Sequence, residues 1–136
     1  MTAPLQYIHY KNTRTKICLD FLQTVQSNHL LEKDLMPWAD TNQEDTFGFT
    51  ALYWAISHHN MHNLKLLIAY GATLKVTSSM NALFYAIDCD NLEALKYFID
   101  KGIDKDIVYT RSYDQTYTLY AYAKKRDRKV ILEYLN

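Results

Sequence analysis

Two blocks of this chain repeat one another in register, and that constrains the fold more than any single motif. Thr50-Ala51-Leu52-Tyr53-Trp54-Ala55 leads into Leu64-Lys65-Leu66-Leu67-Ile68 and then Gly71-Ala72. Asn81-Ala82-Leu83-Phe84-Tyr85-Ala86 leads into Leu95-Lys96-Tyr97-Phe98-Ile99 and then Gly102-Ile103-Asp104. Leu52 to Leu83 and Gly71 to Gly102 both advance by 31 positions, so the blocks align without a gap. A third block, Thr118-Leu119-Tyr120-Ala121-Tyr122-Ala123, precedes Val130-Ile131-Leu132-Glu133-Tyr134-Leu135. A fixed period of this length marks stacked supersecondary units, each touching only its neighbours.

Within a block the apolar spacing predicts two short helices. Leu52, Ala55 and Ile56 fall on one helical stripe, and Leu64, Leu67 and Ile68 on another. Thr50 is placed to cap the first helix, and Gly71 to close the second in a left-handed conformation. Such helices are too short to stand alone, so each pair must stack on the next. Ala55, Ala86 and Ala123 recur at the position where close approach needs a small side chain.

The blocks resemble those of the ankyrin-repeat family, whose pattern is a β-turn, a Thr-Pro-Leu-His-x-Ala helix and a second helix ending in Gly-Ala-Asp. Ala39-Asp40-Thr41-Asn42, Asp45, Gly48, Thr50, Leu52 and Ala55 follow the family's hairpin and helix start at its own spacing. Ala51 and Ala82 replace the family proline, and Tyr53 and Phe84 its histidine. The resemblance implies an all-α ankyrin-repeat solenoid of about four stacked helix-turn-helix units joined by β-hairpin-like loops. The expected division is a single domain over 1–136. It holds an N-terminal arm (1–12), a degenerate first repeat (13–44), two good repeats (45–76 and 77–108), and a long loop with a C-terminal capping repeat (109–136). In the first repeat, Pro37 is expected to break the second helix at Met36.

Composition narrows function mainly by exclusion. Hydrophobic residues make up 49% and charged residues 22%, too apolar a balance for disorder. Lys and Arg number 15 against 15 Asp and Glu, so no overall charge draws the chain to nucleic acid or to a membrane. No apolar run reaches the roughly 18 residues of a membrane span. Cys18 and Cys89 are too few for a disulfide scaffold. With only Gly48, Gly71 and Gly102, widely separated, there is no phosphate-cradling loop. No Gly-x-Ser-x-Gly, His-Glu-x-x-His or Cys-x-x-Cys motif is present. The expectation is a non-catalytic, cofactor-free and metal-free module, monomeric alone, that binds another protein. Its expected setting is the cytoplasm, with a host cell's cytosol the variant if the chain is translocated. Lys, Asn, Ile and Tyr usage leans toward a microbial effector or an inhibitor or immunity-type binder.

What the resemblance implies about a site is a concave strip of hairpin tips and first-helix ends. Carried over by position, the candidates are Phe47 and Phe49, then Ser57 and His58. The next unit contributes Met80 and Asp88, and the last Tyr113, Asp114, Tyr117, Lys125 and Arg126. Phenylalanines on both sides of a turn glycine stand out, because exposed turns favour polar residues. The stretch from Ile103 to Tyr117 is longer than the corresponding earlier connection, and its tyrosines either reach a partner or pack over the last helices.

Two alternatives remain open from sequence. His58, His59 and His62 lie one repeat from Asp88, Cys89 and Asp90, so stacking could assemble a metal-dependent or catalytic cluster at the helix ends. Lys124-Lys125-Arg126-Asp127-Arg128-Lys129 could bind nucleic acid. Residues 1–100 carry 7 basic and 10 acidic side chains and residues 101–136 carry 8 and 5, so a solvated capping face is favoured.

Overall fold

The computed structural model describes residues 21–112 and 115–136; the expected arm at 1–12, Cys18, Tyr113 and Asp114 lie outside the described residues. Helical residues 21–26 (α1) precede a 3-10 helix, Lys33–Trp38. Three helix pairs follow: α2 (Ala51–Ser57) with α3 (Met61–Ala69), α4 (Ala82–Asp88) with α5 (Leu92–Asp100), and α6 (Leu119–Lys125) with α7 (Lys129–Leu135). Between α5 and α6 run β1 (Val108–Ser112) and β2 (Gln115–Thr118). The first helices pack in a row, α2 on α4 and α4 on α6, and α3 packs on α5 behind them.

Four residues show that all four units share one register. Asn28, His59, Asp90 and Asp127 carry φ values of 60, 55, 53 and 55°. This left-handed region is sparsely used by residues other than glycine, and Asn, Asp and His are enriched there. In each case the next amide reaches back five residues: His29 to the Thr24 carbonyl, Asn60 to Ala55, Asn91 to Ala86 and Arg128 to Ala123. The first unit, weakest in sequence, is therefore in step with the rest. Its second helix is not α-helical: Pro37 sits inside the 3-10 turn, whose closing amide, Ala39, bonds Leu35 and Met36.

The core runs along the stack as repeated positions. Leu52 and Leu83, Ile56 and Ile87, and Leu64 and Leu95 are all buried, as are Ala55, Ala86 and Ala123. In the last unit Ala123 stays buried but two of the other positions turn wet. Tyr120 replaces the leucine and is 46% exposed, and Lys124 replaces the isoleucine and is exposed. A polar outer face is what a terminal unit needs to stay in solution. The second helices close as expected: Gly71 and Gly102 have φ of 93 and 89°, and the following amides return to Leu67 and Phe98.

Three local expectations are corrected. The Thr50 hydroxyl does not cap α2; it donates to the Lys75 carbonyl at 3.0 Å, tying one hairpin to the next. Asn81 and Thr118 do cap α4 and α6, accepting from the Leu83 and Ala121 amides. The connection before the last unit is a true antiparallel hairpin, pairing Val108 with Thr118 and Tyr109 with Tyr117. Arg128 is not on the solvated face: its guanidinium donates to the Ile87 and Asp88 carbonyls at 2.9 and 2.6 Å.

Candidate protein-binding face

The hairpin before α2 is organised by one carboxylate. Asp45 Oδ1 accepts the Phe47 and Phe49 amides at 2.9 and 3.0 Å, and Oδ2 accepts Trp54 Nε1 at 2.7 Å and Gln26 Nε2 at 3.2 Å. Partial burial works against the charge, but these donors outweigh it and hold the carboxyl below its ordinary value. Because the folded pKa is depressed, the stabilisation is present above the unfolded value of about 3.9 and is lost as pH falls through the folded pKa. Asp45→Asn should therefore destabilise by about 1–2 kcal/mol at neutral pH. In urea titrations across pH, the gap to wild type should close only below about pH 4. A gap that stays constant into acid would show that the charge contributes nothing.

That hairpin sets up a row of aromatic rings. Phe47, 69% exposed, lies 6.1 Å from Phe49. Phe49 stacks on Tyr53 at 3.9 Å, and Tyr53 stacks on Tyr85 of the next unit at 4.4 Å. Trp54 stands edge-on to both Phe49 and Tyr53 and stacks with His58. A separate cluster lies in the next two units, where the rings of buried Phe84 and of Tyr109, Tyr122 and Tyr117 meet at 5.3 to 5.8 Å. Burial raises the Tyr85 hydroxyl above its ordinary range, with hydrogen bonds to Tyr53 and Cys89 adding to it. Burial also raises the Cys89 thiol above its ordinary value, the direction opposite to activation.

The predicted candidates fall into three groups. Phe47, Phe49, Ser57 and His58 lie along the aromatic row, and Met80 closes the hairpin before α4, its amide held by the Thr77 hydroxyl at 3.1 Å. Asp88, Arg126, Lys125 and Tyr117 engage one another or their neighbours. Arg126 Nε lies 2.8 Å from Asp88 Oδ1, Tyr122 donates to the same oxygen at 2.7 Å, and Lys125 donates to the Tyr117 hydroxyl at 2.7 Å. Tyr113 and Asp114 are outside the described residues. Tyr109 and Tyr117 pack over Tyr122 and stay half-buried.

Sequence reasoning missed Trp54, Tyr85 and Tyr122 as contributors. The signal was there: the three occupy one position in successive units, 31 and then 37 residues apart.

The three histidines each hold a carbonyl of a neighbouring unit. His58 Nε2 bonds the Gln26 carbonyl at 3.0 Å, His62 Nε2 the Leu31 carbonyl at 3.1 Å, and His59 Nε2 the Cys89 carbonyl at 3.2 Å. Stacking thus disperses the imidazoles. Among the described residues no group of three His, Cys, Asp or Glu side chains is placed to hold a metal ion.

Known proteins bear on this geometry. The family described as ankyrin repeats (3 copies) matches residues 21–109. An ankyrin repeat protein of Fowlpox virus (strain NVSL) is 30% identical, over 67% of this chain and 20% of its own length. An ankyrin repeat domain-containing protein of Stachybotrys chartarum is 33% identical, over 56% and 4%, and a second fowlpox ankyrin repeat protein 29%, over 57% and 12%. The chain spans a fifth or less of the length of these relatives. Ankyrin repeats are in general protein-interaction modules and are typically non-enzymatic. Matched over more than half its length and built from four units in one register, the chain belongs to the ankyrin-repeat family.

Proposed function

We propose that this chain acts by binding a partner protein across the aromatic row, masking or recruiting it without chemistry of its own. The observation that carries this is the open end of the row: Phe47 is largely exposed while Phe49, Tyr53 and Tyr85 behind it are stacked and held in place. Rigid aromatic anchors with a dry core and a polar rim are the usual source of binding energy at interfaces. Two of the matched relatives belong to a large virus, in keeping with an effector or inhibitor acting in the cytosol of a host.

The test is a pull-down from source and host lysates, with wild type beside a Phe47→Ala, Phe49→Ala double variant of unchanged circular dichroism. Any captured protein is then purified and titrated directly. Affinity for it should fall about a hundredfold in the double variant, as expected when anchors worth about 3 kcal/mol are truncated. Equal affinity for both chains would place the binding surface elsewhere.

A further inference from the structure

Resting on that reading, we infer that the first unit is a latch on the Phe47 hairpin: its docking against α2 and α3 and the order of that hairpin support one another. The junction is fastened by side chains of the second unit that grip backbone of the first. Buried Asn63 accepts the Leu31 amide and donates to the His29 carbonyl, both at 2.8 Å. His62 donates to the Leu31 carbonyl at 3.1 Å, and His58 to that of Gln26 at 3.0 Å. One unit on, the same three positions hold Ala94, the exposed Glu93 and Cys89, and the grip is not repeated among the described residues. With a short 3-10 turn in place of a second α-helix, the first unit depends on this grip more than the others do.

Gln26, the last residue of α1, carries the grip to the hairpin. Its carbonyl is held by His58, and its side chain donates to Asp45 Oδ2 at 3.2 Å, on the carboxylate that fixes the Phe47 and Phe49 amides. Trp54 closes the circuit, donating to the same Oδ2 at 2.7 Å and stacking on His58. Asp45, Gln26, His58 and Trp54 thus form one ring of contacts through α1, the hairpin and α2. When the first unit lifts away, Asp45 loses a donor and His58 an acceptor; when the hairpin loosens, the Gln26 amide loses its carboxylate. Such coupling is reciprocal, so a partner seated on Phe47 slows opening of the first unit, and a loosened first unit weakens the partner's hold.

Hydrogen exchange on the free full chain tests this, with Asn63→Ala as the perturbation, since Asn63 bonds neither Gln26 nor Asp45. Exchange should quicken about tenfold at the His29 and Leu31 amides and about threefold at Phe47 and Phe49, with the Asn91 and Ile103 amides of later units unmoved. Should Asn63→Ala fail to fold, His62→Ala, which deletes a single bond, is read in the same way. In a Gln26→Leu background the substitution should still quicken His29 and Leu31 but no longer reach the hairpin amides. Quickening of the first unit with Phe47 and Phe49 unmoved overturns the inference, as does a hairpin response undiminished by Gln26→Leu. Equal quickening in every unit overturns it too, because Asn63 would then support the stack as a whole, and so does no change anywhere. No partner enters the measurement, so each of these results leaves the docking face to be decided separately by the pull-down.

Discussion

Replacing Leu83 with alanine should destabilise the chain by about 2–5 kcal/mol, the range for a buried leucine whose removal leaves a cavity. Leu83 is fully buried in α4, the helix packed on both sides, by α2 and by α6. Neither neighbour can collapse into the space without breaking its own repeated contacts, so relaxation is limited. The informative control is Tyr120→Ala, the same repeat position in the last unit, where the ring is 46% exposed. There the loss should stay within about 1 kcal/mol, as for a partly solvated site. Urea unfolding of both variants reads the difference. Similar losses would mean that the stack does not enclose α4 as described.

The stacking was legible in the sequence because it depends on a period. Leu52 and Leu83, Ala55 and Ala86, and Gly71 and Gly102 recur at one interval, and any fold honouring it must superpose them. The hairpin phenylalanines were legible too, since apolar residues beside a turn glycine run against turn preference. The polar wiring between units was not. Whether Thr50 caps its own helix or bonds Lys75 of the next hairpin depends on a rotamer choice settled by packing. Nor were the contacts of His58 and His62, which the left-handed turn at His59 separates. Their rings then serve carbonyls of the first unit, whose faint sequence pattern hid the acceptors. Arg128 looked like part of a charged run because nothing local reveals carbonyls forty residues away.

That wiring carries the second large effect, at Asn91. Its side chain is buried and makes two bonds: Oδ1 caps α5 through the Ala94 amide at 3.0 Å, and Nδ2 reaches the Ile56 carbonyl of the previous unit at 3.0 Å. Asn91→Ala removes both. The buried Ala94 amide is then without a partner, whereas the Ile56 carbonyl keeps the His58 and His59 amides. Loss of the cap and of the buried bond to the Ile56 carbonyl together should cost about 2–4 kcal/mol. Asn60, one unit earlier, also caps its helix, through the Asn63 amide, but its Nδ2 goes to the exposed Asn28 side chain. Asn60→Ala should therefore cost only about 1 kcal/mol, a cap alone. The two substitutions delete identical atoms at one repeat position, so their difference isolates the buried bond between units. Hydrogen exchange supplies the spatial readout: Asn91→Ala should speed exchange at Ala94 and across the α2–α4 junction, and Asn60→Ala at Asn63 alone. If both variants unfold at the same urea concentration, the bond from Asn91 to Ile56 contributes nothing, and apolar packing alone joins the repeats.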